Sequence, residues 1–343
     1  MRRRWLWPVL TLVGPVAALA AIWGPLLAHY HVPAPDIGPQ VLAAARQPVA
    51  PAIRRYLEER SGGVPVPAGP GRAAAKADRL IATGELQLGS FPRQRVDLPF
   101  APENLGRGGV SWQLQIAALV VPRLFVDAYR ETGDRRYLER AAASVLAWAR
   151  FERRQWMPRN LLWNDHAVAA RLGVLAHFWQ LHREHPELLD AAEAREVLAF
   201  AARSLRLTAK PGFYTPRTNH GIFQNLALWL GHEAFPGLPA GEEGISVAYE
   251  RFRGHLPYYL SEEGAILEHS AGYHAVGLSL IGRAFWYMER AGQPIEREWW
   301  RRYREGVRFH RLLERPDGTL PRTGDTHPRT TPTIARQTPG GAV

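Results

Sequence analysis

From Trp112 to Leu313 apolar residues recur at helical spacing, with no strand-like alternation to compete. The first stretch, Trp112–Thr132, is apolar at 112, 116, 119, 120 and 124. Arg135–Arg150, Asp165–Glu184, Pro186–Leu207, His220–His232, Ile245–Ser261, Tyr273–Ala291 and Ile295–Leu313 follow the same pattern. Short loops such as Thr132-Gly133-Asp134 and Ala291-Gly292-Gln293-Pro294 separate them, and short loops force neighbouring helices to run antiparallel. The expected fold over residues 111–315 is therefore all-α. Helix pairs recur without sequence identity, which predicts an incomplete α/α toroid of helical hairpins rather than a strict repeat array.

The flanks read differently. Residues 33–110 form an N-terminal helical and linker region, with one helix predicted from Pro39 to Arg60 and a Gly/Pro linker from Ser61 to Arg72. Residues 84–110 are irregular, broken by Pro92, Pro99, Pro102 and Gly106-Arg107-Gly108-Gly109. After the Arg315-Pro316-Asp317-Gly318 turn, Thr319–Arg322 can begin a strand, and 316–343 reads as a truncated junction with a disordered tail.

At the other end, Arg2-Arg3-Arg4 precedes an uncharged run, Trp5–Ala28. At about 1.5 Å per residue such a helix spans a bilayer core, and the cationic flank stays cytoplasmic. Residues 1–32 are thus expected to be a signal or transmembrane anchor. The main domain would be held at the inner membrane facing the periplasm, or released there by cleavage near Ala18-Leu19-Ala20. The chain has no Cys, so disulfides and thiolate metal sites are excluded.

Net charge is +11, carried almost wholly by Arg, since Lys appears only at 76 and 210. Such a surface suits carboxylate, sulfate or phosphate partners, although a base composition rich in Arg, Ala, Gly and Pro codons gives the same balance. No nucleic-acid motif accompanies it, and no nucleic-acid partner is expected.

Two stretches carry chemistry. Thr218-Asn219-His220-Gly221 precedes an apolar stripe at Ile222, Phe223, Leu226, Ala227 and Leu230, which places Asn219 and His220 at a helix N-terminus that attracts anions. Glu268-His269-Ser270-Ala271-Gly272-Tyr273-His274 likewise leads into a helix that Ser270 can cap, with Tyr273 in its first turn. Each residue also has a plain structural reading: Asn219 as a cap, His220 as a packed ring, Tyr273 as a half-buried aromatic. A phenol has a reference pKa of about 10 and needs cationic or hydrogen-bonding neighbours to act as a base. His269 and His274 are five apart, poor spacing for one helix face, so no metal and no other cofactor is expected. A third patch, Trp163-Asn164-Asp165-His166 with Arg171, opens another helix.

In this order, Asn-His-Gly, Glu-His-Ser-x-Gly-Tyr-His about fifty residues later, and Thr323-Gly324-Asp325, the chain resembles the heparinase II/III-type polysaccharide lyases and the related alginate lyases, from roughly Trp112 to Asp325. The resemblance implies β-elimination on a uronic-acid-containing polysaccharide. Asn219, helped by His220, would neutralise the uronate carboxylate, and Tyr273 would take the C5 proton and then protonate the leaving O4. His220 would be the base for the epimeric uronate. Asn164, His166, Arg171, Arg217, Gln224, Glu268, His269 and His274 are the candidate substrate contacts. The family adds a C-terminal β-sandwich that contributes a further His. That domain is expected to be missing from this chain: a truncated product, a chain paired with a separate polypeptide that supplies the domain, or one that has lost full activity. The competing readings are a non-catalytic, membrane-anchored polysaccharide-binding or assembly protein, and a toroid glycoside hydrolase using two of Glu268, Asp325 and Asp165.

Overall fold

The computed structural model describes residues 29–33, 35–59, 72–324 and 326. Among the described residues twelve α-helices dominate. Three come first: α1 (Pro39–Ala45), α2 (Pro51–Glu59) and α3 (Arg72–Thr83). A two-residue antiparallel ribbon, Glu85–Leu86 against Gln94–Arg95, follows. Then come α4 (Val110–Ala117), α5 (Val120–Thr132), α6 (Arg135–Arg153), α7 (Asp165–Glu184), α8 (Ala191–Ala209), α9 (Asn219–Ala234), α10 (Pro239–Tyr259), α11 (Ala271–Arg290) and α12 (Arg297–Leu313).

The helices from α5 onward pack as hairpins: α5 with α6, α7 with α8, α9 with α10, α11 with α12. The first members also touch one another in sequence, α5 to α7 to α9 to α11, while α6, α8 and α10 make an outer row. Two concentric layers of antiparallel hairpins result, the expected incomplete α/α toroid. Burial follows the layers. In α7 every residue from Ala167 to His182 is buried, as a helix apolar or neutralised all round must be. In α12 only Trp299, Tyr303, Gly306 and His310 are buried, a single stripe facing α11.

Local chemistry sets the ends. Asp190 and Glu193 form a reciprocal capping box that starts α8. Asn164 caps α7 by accepting from the His166 and Ala167 amides at 3.0 and 3.1 Å. Gly133, with φ of 71°, ends α5 in the left-handed region that glycine tolerates without cost.

Four expectations about elements change. The helix predicted over Trp112–Thr132 is two, α4 and α5, because Leu119 adopts φ of 65° between them. The helix predicted over Pro39–Arg60 is also two, separated by the Arg46–Ala50 segment that holds Pro48. The predicted Pro186–Leu207 helix starts only at Ala191, after a 3₁₀ turn over Pro186–Leu188. Thr319–Arg322 forms no strand. The N-terminal region is part of the toroid's core. Leu42, Ala45, Ile53 and Leu57 join it, and the Trp179 indole N–H donates to the Ala45 carbonyl at 2.8 Å.

The expected anchor over Trp5–Ala28, the linker over 61–71, Asp325 and the tail over 327–343 lie outside the described residues. Among the described residues no helix is long and apolar enough to cross a membrane.

Candidate active site at the rim of the toroid

The N-termini of α7, α9 and α11 open on the same end of the inner layer, and their first turns carry the singled-out polar residues. Asn219 is the first residue of α9, but Thr218 makes no side-chain cap. Glu268 supplies one from across the loop. Its Oε1 accepts the Asn219 backbone N–H at 2.7 Å and its Oε2 accepts the Asn219 amide Nδ2 at 3.2 Å. An anion thus sits where the helix leaves N–H groups unpaired and the macrodipole is positive.

His220 turns toward α7. Its Nδ1 donates to Asp165 Oδ2 at 3.1 Å, and the Thr215 hydroxyl donates to the same oxygen at 2.6 Å. Burial alone would raise the Asp165 carboxyl, but hydrogen bonds from His220 and Thr215 and the imidazole's charge outweigh it and lower it to about 2. The hydrogen bond to Asp165 correspondingly raises His220, with desolvation opposing and the Asp165 and Glu268 charges assisting. The His166 ring lies 4.7 Å from the His220 ring and is pushed down to about 4, first by burial and then by the His220 charge. The rim therefore holds one imidazole favoured as the cation beside one held neutral.

Ser270 caps α11 by accepting the Tyr273 amide at 3.3 Å, which fixes Tyr273 in the first turn, half-buried. The Thr326 hydroxyl accepts the Gly272 amide at 3.0 Å, and Thr323 Oγ1 accepts that of Ala271 at 3.2 Å. Thr323 and Thr326 thereby tie down the start of α11. The buried Tyr259 hydroxyl lies beneath. Burial raises its pKa, and the neighbouring charges of Glu268 and Tyr273 raise it further.

The same device enters both helices. Arg217 (φ 62°) and His269 (φ 54°), each one residue before the N-cap, take the left-handed conformation that costs a side-chain-bearing residue about 1–2 kcal/mol. Both side chains are consequently exposed, with the Arg217 guanidinium 4.8 Å from the centre of the Tyr258 ring. Gly221 is required by packing: a Cβ there would lie 2.5 Å from the Thr215 carbonyl oxygen and 3.0 Å from His255.

The structure places three candidate substrate contacts in the interior. Arg171 is 1% exposed; its Nε donates to the Ala117 carbonyl at 2.6 Å and its Nη2 to that of Leu162, so it ties α4 and the α6–α7 loop together. Gln224 is fully buried and holds the loop before α9 through the Phe213 carbonyl at 2.8 Å and the Thr215 amide at 2.9 Å. His274 is buried, accepts the Ile266 amide at 3.2 Å, donates to the Gly306 carbonyl at 3.1 Å, and is lowered to about 4 chiefly by burial. Backbone groups hold each of them in the interior. Asn164 and Glu268 are half-buried and already serve as caps. Arg217, His166 and His269 stay at the rim.

Tyr259, Thr215 and the Tyr214–His255 pair, joined at 2.8 Å, were not singled out in the sequence. A tyrosine at the end of a helix carries no mark of the loop that will fold over it. Among the described residues no group of three or more His, Asp and Glu is placed to hold a metal ion.

Helical hairpins in two layers, with an amide, imidazoles and a phenol gathered at one open end, define an incomplete α/α toroid. The Heparinase II/III N-terminus model matches residues 103–341, most of the chain, and the chain belongs to that family. Among solved structures it is similar to heparan sulfate lyase HepC (a mutant) from Pedobacter heparinus, with TM-score 0.63, 14% identity, and coverage of 78% of this chain and 44% of that one. It is also similar to a structure of heparinase III, with TM-score 0.62, 16% identity, and coverage of 82% and 48%. The chain spans less than half the length of these structures. Curated protein sequences give no match.

Proposed function

We propose that this protein is a polysaccharide lyase that cleaves a uronic-acid-containing polymer by β-elimination. Family membership supports the class. The observation that carries the reading is the meeting of two distant motifs, with Asn219 hydrogen-bonded to Glu268 and His220 beside them at one open rim.

The chemistry follows from the charges. A uronate C5 proton is too weakly acidic for a side chain to remove until the adjacent carboxylate is neutralised. The His220 cation, maintained by Asp165, and the Asn219 amide offer a charge and a hydrogen bond to that carboxylate and to the enolate-like intermediate. Tyr273 removes the C5 proton and returns it to the departing O4; the C4–O4 electron pair leaves with oxygen as the C4–C5 double bond forms. Glu268 keeps the Asn219 amide oriented. Arg217 and His269, exposed beside the motifs, meet neighbouring acidic groups of the polymer.

The carboxylates argue against hydrolysis. A glycosidase needs one carboxyl protonated near neutral pH, but Asp165 is held down at about 2 by its hydrogen bonds. We assign the domain to the periplasmic face of the inner membrane on the strength of Arg2-Arg3-Arg4 and the uncharged run behind it.

The test is ultraviolet absorbance from unsaturated uronate ends, using the full chain with a panel of polyuronates and sulfated glycosaminoglycans. Rising absorbance that is lost in Tyr273→Phe supports the lyase. A folded protein that binds a polymer yet yields no absorbance supports the binding or assembly alternative instead.

A further inference from the structure

Below the rim the inner helices line a cleft that opens to solvent. Its α7 wall is made of Ala169, Ala170 and Gly173, and Ala227 continues it on α9. Such small side chains leave the space beside them unfilled. Tyr56 and Phe223 supply ring surfaces, with Tyr287 buried beside them. The sole charged side chain among the described lining residues is Arg283 of α11.

Arg283 is placed unlike the other cations of the interior. Arg171 spends its donors on backbone carbonyls, and Arg290 forms a two-point ion pair with Glu233. The Arg283 guanidinium lies 5.9 Å from the centre of the Phe223 ring, and its Nε is buried without a hydrogen-bond partner. Among the described residues no carboxylate pairs with it. A guanidinium with a donor unspent at an apolar-lined cleft can offer an anion a charge-assisted hydrogen bond. Phe223 also connects this cation to the rim, since its other contact is the His166 ring at 5.0 Å, and His166 lies against His220. Arg283 stands ten residues beyond Tyr273 on α11, about 15 Å along the axis at 1.5 Å per residue.

We propose that Arg283 is the anion-binding centre of a second sugar site, inside the toroid. It takes the acidic group, carboxylate or sulfate ester, of a glycan unit whose ring lies among Phe223, Tyr56 and Tyr287. The polymer then enters the toroid from the rim instead of only crossing its mouth. This inference rests on the lyase reading for the identity of the glycan, but not for the anion site itself.

The test uses the full chain carrying Tyr273→Phe, so that bound sugar is not turned over. Calorimetric titration with an oligomannuronate tetramer and a heparan sulfate tetrasaccharide, each beside its carboxyl-reduced and desulfated neutral counterpart, reads the site. Arg283→Gln is expected to weaken the acidic probe about tenfold, the value of one charge-assisted contact, and to leave neutral probes unchanged. Arg283→Lys is expected to recover part of the loss, and Arg283→Gln to melt no lower than its parent. The probe that responds tells carboxylate from sulfate. Acidic probes that bind the Gln variant as tightly as the parent overturn the site, whether or not the wild-type chain cleaves polymer. Acidic probes that need Arg283, with no polymer cleaved by the wild-type chain, uphold the site and overturn the lyase. No binding of any acidic probe overturns both.

Discussion

His220 and His274 sit in the first turns of neighbouring inner helices, in motifs of similar appearance, and meet opposite fates. His220 is half-exposed and paired with Asp165, and that hydrogen bond raises its pKa. His274 is buried, with one ring nitrogen on a backbone amide, the other on a backbone carbonyl, and the His310 ring stacked 5.6 Å away. Burial lowers it to about 4. The difference teaches that position relative to a helix end does not decide a polar residue's role. What decides is whether the neighbouring chain spends its hydrogen bonds. At the rim, side chains meet side chains and some capacity stays open for a ligand. One layer deeper, backbone groups take all of it.

The largest expected effect falls on the rim. Tyr273→Phe removes the proposed base and should lower turnover by about 10²–10⁴ at unchanged melting temperature. Asn219→Ala should cost about 10²–10³, read as the initial rate of unsaturated-end formation. Loss of folding in either variant would place them with His274 and break the comparison.

Asp165→Asn sharpens it. The carboxylate favours the His220 cation, and the proposed carboxylate neutralisation needs that cation. Activity should fall as pH rises through the His220 pKa, and the variant should move this alkaline limb to lower pH. A limb that stays in place would remove His220 from the charge argument.

Stability should respond to pH through the buried imidazoles. His177 is lowered to about 3 and His274 to about 4, largely by burial. Below about 6.5 the unfolded chain takes up protons that the native chain refuses, so stability is full above that pH and falls as pH drops toward 4. The fall is on the order of 1 kcal/mol per pH unit for each such group. Thermal unfolding between pH 7 and pH 4 checks it, and His274→Gln should flatten the slope. A slope unchanged by that substitution would mean another group sets it. The smallest effect belongs to Glu268→Gln, which weakens an anionic cap and should cost about 1 kcal/mol of stability.

Much of the scaffold was legible because helical periodicity reports burial directly, and short Gly/Pro loops fix antiparallel neighbours. The break at Leu119 was not, since an apolar residue in the left-handed region carries no local signal. Asn219, His220 and Tyr273 were legible as residues of helix N-termini. The Glu268 cap on Asn219 spans 49 residues and depends on how two loops fold together. Arg171, Gln224 and His274 were read as substrate contacts because their chemistry suits sugars. Their true partners are carbonyls and amides, which every residue has and no sequence pattern marks.

The most direct measurement sets His220→Gln beside His274→Gln, with turnover per folded molecule and thermal unfolding recorded for both. The predicted result is a His220 variant that melts normally and has lost most of its turnover, and a His274 variant that melts earlier and keeps turnover close to wild type. The opposite pattern, with activity lost at His274 and stability lost at His220, would contradict the assignment of chemistry to the rim.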